Sequence, residues 1–299
     1  MGKFYDALKK AQQDGKLRPA PKPAPPPAEP PAVEAAPTSP RPRPRLAEPA
    51  PQPTPGPAFW EPVAQVNAGK YSHLLISNGT DPAIVEQYKM LRTYVLQHRN
   101  GNPPRTLLIT STVQGEGKST VAANLAIAIA RSVHEHVLLI DCDLREPSLH
   151  RLFGLKPDRG LADYLRRGNI ELSELLLRTG IDKLSFLPAG PRAADAAELL
   201  ASERMRSLLA EVRSRYDDRY IILDSTPLLP TTDPSILARQ VDALLLVVRA
   251  GKVNREMVAR QLEAVGRDKL LGVVFNAVEP GPASSYKYYY KSAYRYHRD

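Results

Sequence analysis

From Ala83 onward the apolar positions follow two alternating rhythms. In "AIVEQYKMLRTYVLQH" Ile84, Tyr88, Leu91 and Val95 recur at helical spacing, which predicts an amphipathic helix with these four on its inner face. Short runs that are apolar throughout then follow: "RTLLITS", "HVLLID" (136–141), "LSFLPA" (184–189), "YIILDS" (220–225), "ALLLVV" (243–248) and "LLGVVFN" (270–276). Their length is that of strands, and helix-forming stretches such as "STVAANLAIAIARS" and "AAELLASERMRSLLAEVRSRY" separate them. Fully apolar strands alternating with helices predict an α/β fold whose mostly parallel central sheet is covered on both faces. Ligands of such sheets bind at the carboxyl ends of the strands.

On either side of this region the pattern stops. Seventeen of the thirty prolines fall between Pro19 and Pro57, where almost no large apolar side chain is available for a core. That stretch reads as a disordered, polyproline-type linker, with PxxP-like docking to a partner groove as the lesser reading. Before it, Phe4, Leu8 and Ala11 recur at helical spacing beside Lys9 and Lys10, a short amphipathic helix marginal on its own. The expected organisation is a helix over 1–18, the proline-rich linker over 19–60, the α/β domain over 61–280 and a tail over 281–299.

Charge is as unevenly spread as proline. Residues 1–60 hold nine Lys and Arg against five Asp and Glu, and residues 280–299 hold four against one, so these ends carry +7 of the formal +9. The α/β region is nearly neutral, which argues against a nucleic-acid-binding domain and for basic ends near an anionic membrane or acidic partner. A single cysteine, Cys142, leaves no internal disulfide to form and is expected to point into the core. No apolar run reaches the roughly 18–20 residues of a membrane span, and "MGKFYDALKKAQ" lacks a signal peptide's apolar centre, so a cytoplasmic location is expected.

Three stretches carry candidate chemistry. "TSTVQGEGKST" joins the first strand to its helix; Gly115 and Gly117 allow backbone N–H groups to curl around an anion at the helix N-terminus. Lys118 would reach β and γ phosphates and the Ser119 hydroxyl a Mg²⁺ ion, with Glu116 and Thr120 in the same nucleotide-binding loop. The match to GxxxxGK[ST] is imperfect, because Thr112 stands where the first glycine belongs. "YIILDSTP" ends a strand in Asp224, and "VLLIDCDLR" ends another in Asp141 and Asp143, carboxylates suited to orienting a metal.

Taken together, "STVQGEGKST", "VLLIDCDLR" and "YIILDSTP" resemble the Walker A, Walker A′ and Walker B set of the bacterial tyrosine kinases, and "LFGLKPDRGLADYL", "LPAGP", "ELLASERM" and "GVVFNAV" are similar to their intervening segments. The resemblance implies a P-loop NTPase fold and an ATP- and Mg²⁺-dependent protein-tyrosine kinase that modifies its own tail in trans. It implies Lys118 on the phosphates, Asp141 as base for the phenol, Ser119, Asp141, Asp143 and Asp224 organising the metal, and Arg145 in support. Asn276 would read the adenine or serve as a turn cap. Glu86, Lys89 and Arg92 stand where the family carries an ExxRxxR helix that joins subunits into a ring, with lysine in place of the middle arginine.

The tail supplies the substrate that this resemblance demands. Six of thirteen tyrosines, Tyr286, Tyr288, Tyr289, Tyr290, Tyr294 and Tyr296, lie within eleven residues and are interleaved with Lys287, Lys291 and Arg295. The implied partners are a membrane polysaccharide co-polymerase that activates the enzyme at the inner face of the cell membrane, further copies of the chain and a phosphotyrosine phosphatase. The implied process is the polymerisation and export of a capsular or exopolysaccharide. Three other readings stand beside it: a ParA/MinD-like positioning ATPase, an ATP-binding adaptor with little kinase activity, and a nucleic-acid module stacking bases on the tail. Positioning ATPases carry a signature lysine where this chain has Val113.

Overall fold

The computed structural model describes Leu74 and residues 81–98, 103–215 and 219–278. The expected N-terminal helix, the proline-rich linker and the tyrosine tail lie outside the described residues.

Helix α1 (Pro82–Leu96) begins at Asp81, whose side chain accepts from the Ala83 N–H, with a proline in the first turn. The chain continues through β1 (Thr106–Ser111), α2 (Lys118–Ala130), β2 (His136–Asp141), α3 (Leu149–Leu152), α4 (Leu161–Arg166), β3 (Leu177–Arg178) and β4 (Leu184–Leu187). It ends with α5 (Ala196–Ala201), α6 (Glu203–Arg215), β5 (Arg219–Asp224), α7 (Asp233–Ala238), β6 (Ala243–Arg249), α8 (Arg255–Val265) and β7 (Leu270–Asn276). The strands form one seven-stranded sheet in the order β3-β4-β2-β5-β1-β6-β7, parallel except where β3 meets β4.

Strand alternation divides the core in two. Leu107, Ile109, Val137, Leu139, Leu245 and Val247 face α1 and α2, and Leu108, Leu138, Ile140, Leu223, Leu244 and Leu246 face α4 to α7. Helix α2 is buried on all sides from Val121 to Ala130, as expected of a helix that carries no polar face. One carboxylate fastens the lower edge of the sheet. Asp242, just before β6, accepts from the Arg105 and Thr106 N–H groups at 3.0 and 2.9 Å and pairs with Arg213 at 3.0 Å.

Four details depart from the expected elements. Val85, not Ile84, shares the inner face of α1 with Tyr88, Leu91 and Val95, and Ile84 faces out. The expected long helix after Ala196 is broken at Ser202, whose hydroxyl accepts from the Met205 N–H and caps α6. β3 is a two-residue antiparallel strand with no sequence signal of its own. β7 lies at the sheet edge and is covered on one face only, which leaves Val273 and Phe275 exposed.

Candidate functional site

The turn between β1 and α2 forms one wall of a cleft of about 650 Å³ at the carboxyl ends of the strands. Gly115 and Gly117 take left-handed φ values of 76° and 93°, the conformation in which only glycine avoids a Cβ penalty. A Cβ on Gly117 would also lie 2.0 Å from Asn276 Nδ2. Thr112 has no left-handed φ, so the missing first glycine is not needed for this turn. The loop is strapped from below. Glu116 is fully buried, and its carboxylate accepts from the Val113 N–H at 2.8 Å and from the Arg249 N–H, at the end of β6, at 3.2 Å. Asn276, at the end of β7, donates to the Glu116 carbonyl at 2.8 Å. The Glu116 side chain therefore faces the fold, and only its backbone faces a ligand. Lys252, after β6, donates to the Gln114 carbonyl.

Opposite the loop, the sheet brings the three expected carboxylates together. β2 and β5 are neighbours in register, with Asp141 beside Asp224. Lys118 Nζ lies 2.9 Å from Asp143 Oδ2, 3.9 Å from Asp224 Oδ2 and 3.2 Å from Ser119 Oγ. Asp141 is fully buried beneath the cleft, where its oxygens accept from the N–H groups of Asp143 and Leu149, both at 3.2 Å. Asp143 lines the cleft and also accepts from the Glu146 N–H at 2.9 Å. Asp224 is fully buried, and neither of its oxygens has a hydrogen-bond partner.

The electrostatics follow from burial. Loss of water pushes Asp141 well above the usual carboxylate range, and the charges of Asp224 and Asp143 push it further, against the pull of Lys118. Burial raises Asp224 to about 6, with Lys118 opposing. Burial works against the Lys118 charge too, but Asp224 and Asp143 outweigh it, so its pKa rises and the ammonium persists. Cys142 is fully buried as expected, and burial holds its thiol well above its ordinary range, which makes it inert.

The remaining expected residues are placed as follows. Thr120 lines the cleft with Ser119. Arg145 stands at its rim, held by a two-pronged pair with the buried Asp233 at 2.7 and 3.1 Å. Glu86 and Lys89 pair with each other at 3.0 Å on the outer face of α1, while Arg92 turns inward and donates to the Ala128 carbonyl at 3.3 Å. The six tail tyrosines lie outside the described residues.

Sequence reasoning missed Ser148, Arg151, Arg192, Thr226 and Thr231, which also line the cleft. Ser148 stands at the N-cap position of α3 but spends its hydroxyl on Ser119, to which it donates at 3.2 Å, and makes no capping bond. Arg151 and Arg192 had no local signal, since only the sheet order brings their segments to the site. Among the described residues no helix is long and apolar enough to cross a membrane.

Comparison with known proteins agrees with this geometry. The CobQ/CobB/MinD/ParA nucleotide binding domain matches residues 107–295. Tyrosine-protein kinase YwqD of Bacillus subtilis is 36% identical over 206 residues, which cover 68% of this chain and 85% of that protein. The putative tyrosine-protein kinase CapB of Staphylococcus aureus is 32% identical over 221 residues, 73% of this chain and 95% of its own. Among solved structures, the chimerical protein CapA2B2 superposes with a TM-score of 0.63 at 27% identity, covering 73% of this chain and 95% of that one.

Proposed function

The chain belongs to the bacterial tyrosine-protein kinases within the CobQ/CobB/MinD/ParA nucleotide-binding family, and we propose that it transfers the γ-phosphoryl group of ATP to tyrosines in the tail of a second copy of itself. The observation that carries this reading is the convergence of Lys118, Asp141, Asp143 and Asp224 beside a P-loop, in a chain that ends with six clustered phenols.

Each residue has a physical task. Backbone N–H groups of the loop from Gly115 to Thr120 and the start of α2 hold the phosphates. Lys118 leaves Asp143 to reach the β and γ oxygens, and Arg145, steadied by Asp233, adds positive charge at the rim. The phenol oxygen attacks the γ phosphorus, the bond from that phosphorus to the bridging oxygen breaks, and ADP leaves. The phenol proton passes to the Asp141–Asp143 pair, of which Asp143 lines the cleft and Asp141, buried beneath it, accepts from the Asp143 N–H. Asn276 acts as a strap on the phosphate loop beside any contact with the base.

The donor set fits Mg²⁺. Asp224 presents two buried oxygens without partners next to Ser119 and Asp141, an arrangement that a cation would satisfy. Ser119, Asp141, Asp143 and Asp224 are the residues that would hold the ion, alongside ligands from outside the chain. The ion supplies neutralisation of phosphate charge during transfer.

The proposal extends to the cell. Copies of the chain assemble through the α1 face that carries Glu86 and Lys89, beside Arg92, and a membrane polysaccharide co-polymerase recruits and activates them at the inner membrane face. Tail phosphorylation then governs capsule or exopolysaccharide polymerisation, and a phosphatase resets it. Each phosphoryl group adds about −1.5 to −2 charges. Six of them would reverse the +3 tail, release it from neighbouring sites and open the assembly.

Intact-mass spectrometry before and after Mg·ATP tests the central claim. The expected result is successive phosphoryl additions that map to Tyr286–Tyr296 and are absent in Lys118→Met. ATP hydrolysis with an unmodified tail would instead favour the positioning ATPase, and binding without either reaction the adaptor.

A further inference from the structure

A serine at the N-cap position of a helix ordinarily accepts from an N–H of the first turn. Ser148 holds that position before α3 and makes no such bond. The Leu149 N–H, at the start of the same helix, goes instead to Asp141 Oδ2 at 3.2 Å. Asp141 thus takes over part of the capping from the end of β2, and the Ser148 hydroxyl is left to donate to Ser119 Oγ at 3.2 Å.

The backbone around this hydroxyl is fixed. Pro147 and Leu149, on either side, are both buried, and Leu149 belongs to the cluster that also holds Val121, Ala122 and Leu125 of α2. Ser148 therefore meets the first turn of α2 from a pinned segment, and it lines the cleft beside Ser119. The bond joins the turn after β2 to the phosphate loop after β1. These strands are not neighbours, since β5 lies between them, so no ladder hydrogen bond sets the distance between the two loops.

Hydrogen-bond capacity then says what the bond does. A hydroxyl has one proton to give and two acceptor positions. Ser119 accepts from Ser148 and from Lys118 Nζ, both at 3.2 Å, and its hydroxyl stands close enough to Asp224 to offset part of what burial does to that carboxylate. Both acceptor positions are taken, so a cation can use Ser119 only if one donor leaves. Lys118 is the donor with another destination, because the phosphates proposed above draw its ammonium away. Ser148 is held by its neighbours and stays. We infer that Ser148 is a positioning residue for Ser119: its hydroxyl fills one acceptor position and leaves the other on offer to a divalent cation once Lys118 has gone. The inference rests on the Mg²⁺-nucleotide part of the reading above. Its consequence is that the contribution of the ion to nucleotide binding depends on Ser148, and the contribution of the phosphates does not.

The test is the binding of ADP to the full chain by isothermal titration, once with Mg²⁺ and once with EDTA, in wild type, Ser148→Ala and Ser148→Thr. The ratio of the two affinities measures what the ion adds. Ser148 makes no capping bond, so the alanine variant keeps its fold. Its ratio should fall by roughly threefold to tenfold, the size of one hydrogen bond, while its affinity in EDTA stays within about twofold of wild type. Ser148→Thr keeps the hydroxyl and should restore the ratio. An equal loss with and without the ion would make Ser148 a packing residue of the loop and overturn the inference. An unchanged ratio, or a threonine variant that behaves like alanine, would overturn it too, and a wild-type ratio of one would remove the ion assignment with it. Since no phosphoryl transfer is read, the expected ratios in a protein that leaves its tail unmodified support the positioning role and count against the autokinase reading alone.

Discussion

Glu116→Gln is the sharpest probe of how the phosphate loop is held. The wild-type side chain has no water around it and spends each oxygen on a backbone donor, Val113 N–H at 2.8 Å within the loop and Arg249 N–H at 3.2 Å beyond β6. Glutamine has the same shape but one acceptor oxygen, so its amide group must face one of the two N–H donors. A buried donor left without a partner costs about 1–3 kcal/mol. The donor most directly affected by this substitution is in the loop itself, at Val113, or in the segment that steadies it. The loss should therefore appear in nucleotide binding as well as in folding. At about 1–2 kcal/mol, nucleotide affinity falls by a factor of roughly 5–30. Isothermal titration with Mg·ADP, paired with urea unfolding of the unliganded protein, separates the two effects. Unchanged affinity with a matching loss of global stability would make Glu116 an ordinary core group, and no change in either would refute the strap.

Three further outcomes follow from the geometry. Asp242→Ala removes the acceptor of the Arg105 and Thr106 N–H groups and should cost about 1–2 kcal/mol, or a Tm lower by roughly 2–8 °C. The Asp242 carboxylate is held below its usual range by those bonds and by Arg213, although burial opposes them. Its contribution is complete above pH ~4 and is lost as pH falls through the lowered value, so the gap between wild type and variant should close in acid. Gly160→Ala would place a Cβ 2.2 Å from the Pro188 carbonyl and 2.3 Å from Gly190 N, backbone atoms that cannot yield. A loss above ~2 kcal/mol in chemical denaturation is expected. Asp224→Asn removes a buried charge that Lys118, at 3.9 Å, offsets only in part, so Tm should hold or rise while tail phosphorylation in the presence of Mg·ATP disappears.

The fold was legible wherever a short apolar run is bounded by polar turns. β2 and β7 run over the residues expected of them, β1 and β6 differ from expectation by a residue at one end and β5 by a residue at each end, because an uninterrupted apolar run flanked by polar turns has few ways to fold. Legibility failed where a single local bond decides. Ser202 breaks a helical pattern through one hydroxyl, and the choice of Val85 over Ile84 is a rotation of about 100° that periodicity alone does not resolve. The site shows the same division. Gly115, Gly117, Lys118 and the three carboxylates sit at strand ends whose sequences announce them. Arg192, Asp233 and the strap from Arg249 reach the loops only through the order of the strands, which one-dimensional pattern does not contain.

The buried carboxylates of this chain also divide by what satisfies them, and the division locates the chemistry. Glu116 has two backbone donors, Asp233 the two prongs of Arg145, and Asp141 two N–H groups of the turn that follows it. Glu116 and Asp233 hold loops in place, and their burial is compensated where they stand; Asp141 accepts its two N–H bonds and still has its proton affinity raised by burial. Asp224 is as deeply buried, and neither oxygen has a well-formed hydrogen bond; the Ser119 hydroxyl and the Ser225 N–H stand near enough to lower its pKa, and it shares a single ammonium at 3.9 Å with Asp143, which is closer to it. Stability alone gives no reason for such a group, because an apolar residue of similar volume would fill the strand end at lower cost. Three carboxylates around one lysine leave an acidic excess, which adds to burial in raising the proton affinity of Asp141 and Asp224 and which a cation would relieve. On the function proposed above, a divalent cation arriving with a polyphosphate would supply the charge, and the phosphate would give Lys118 a reason to leave Asp143. An aspartate buried with so little compensation is what the proposed catalytic role of this strand end would require.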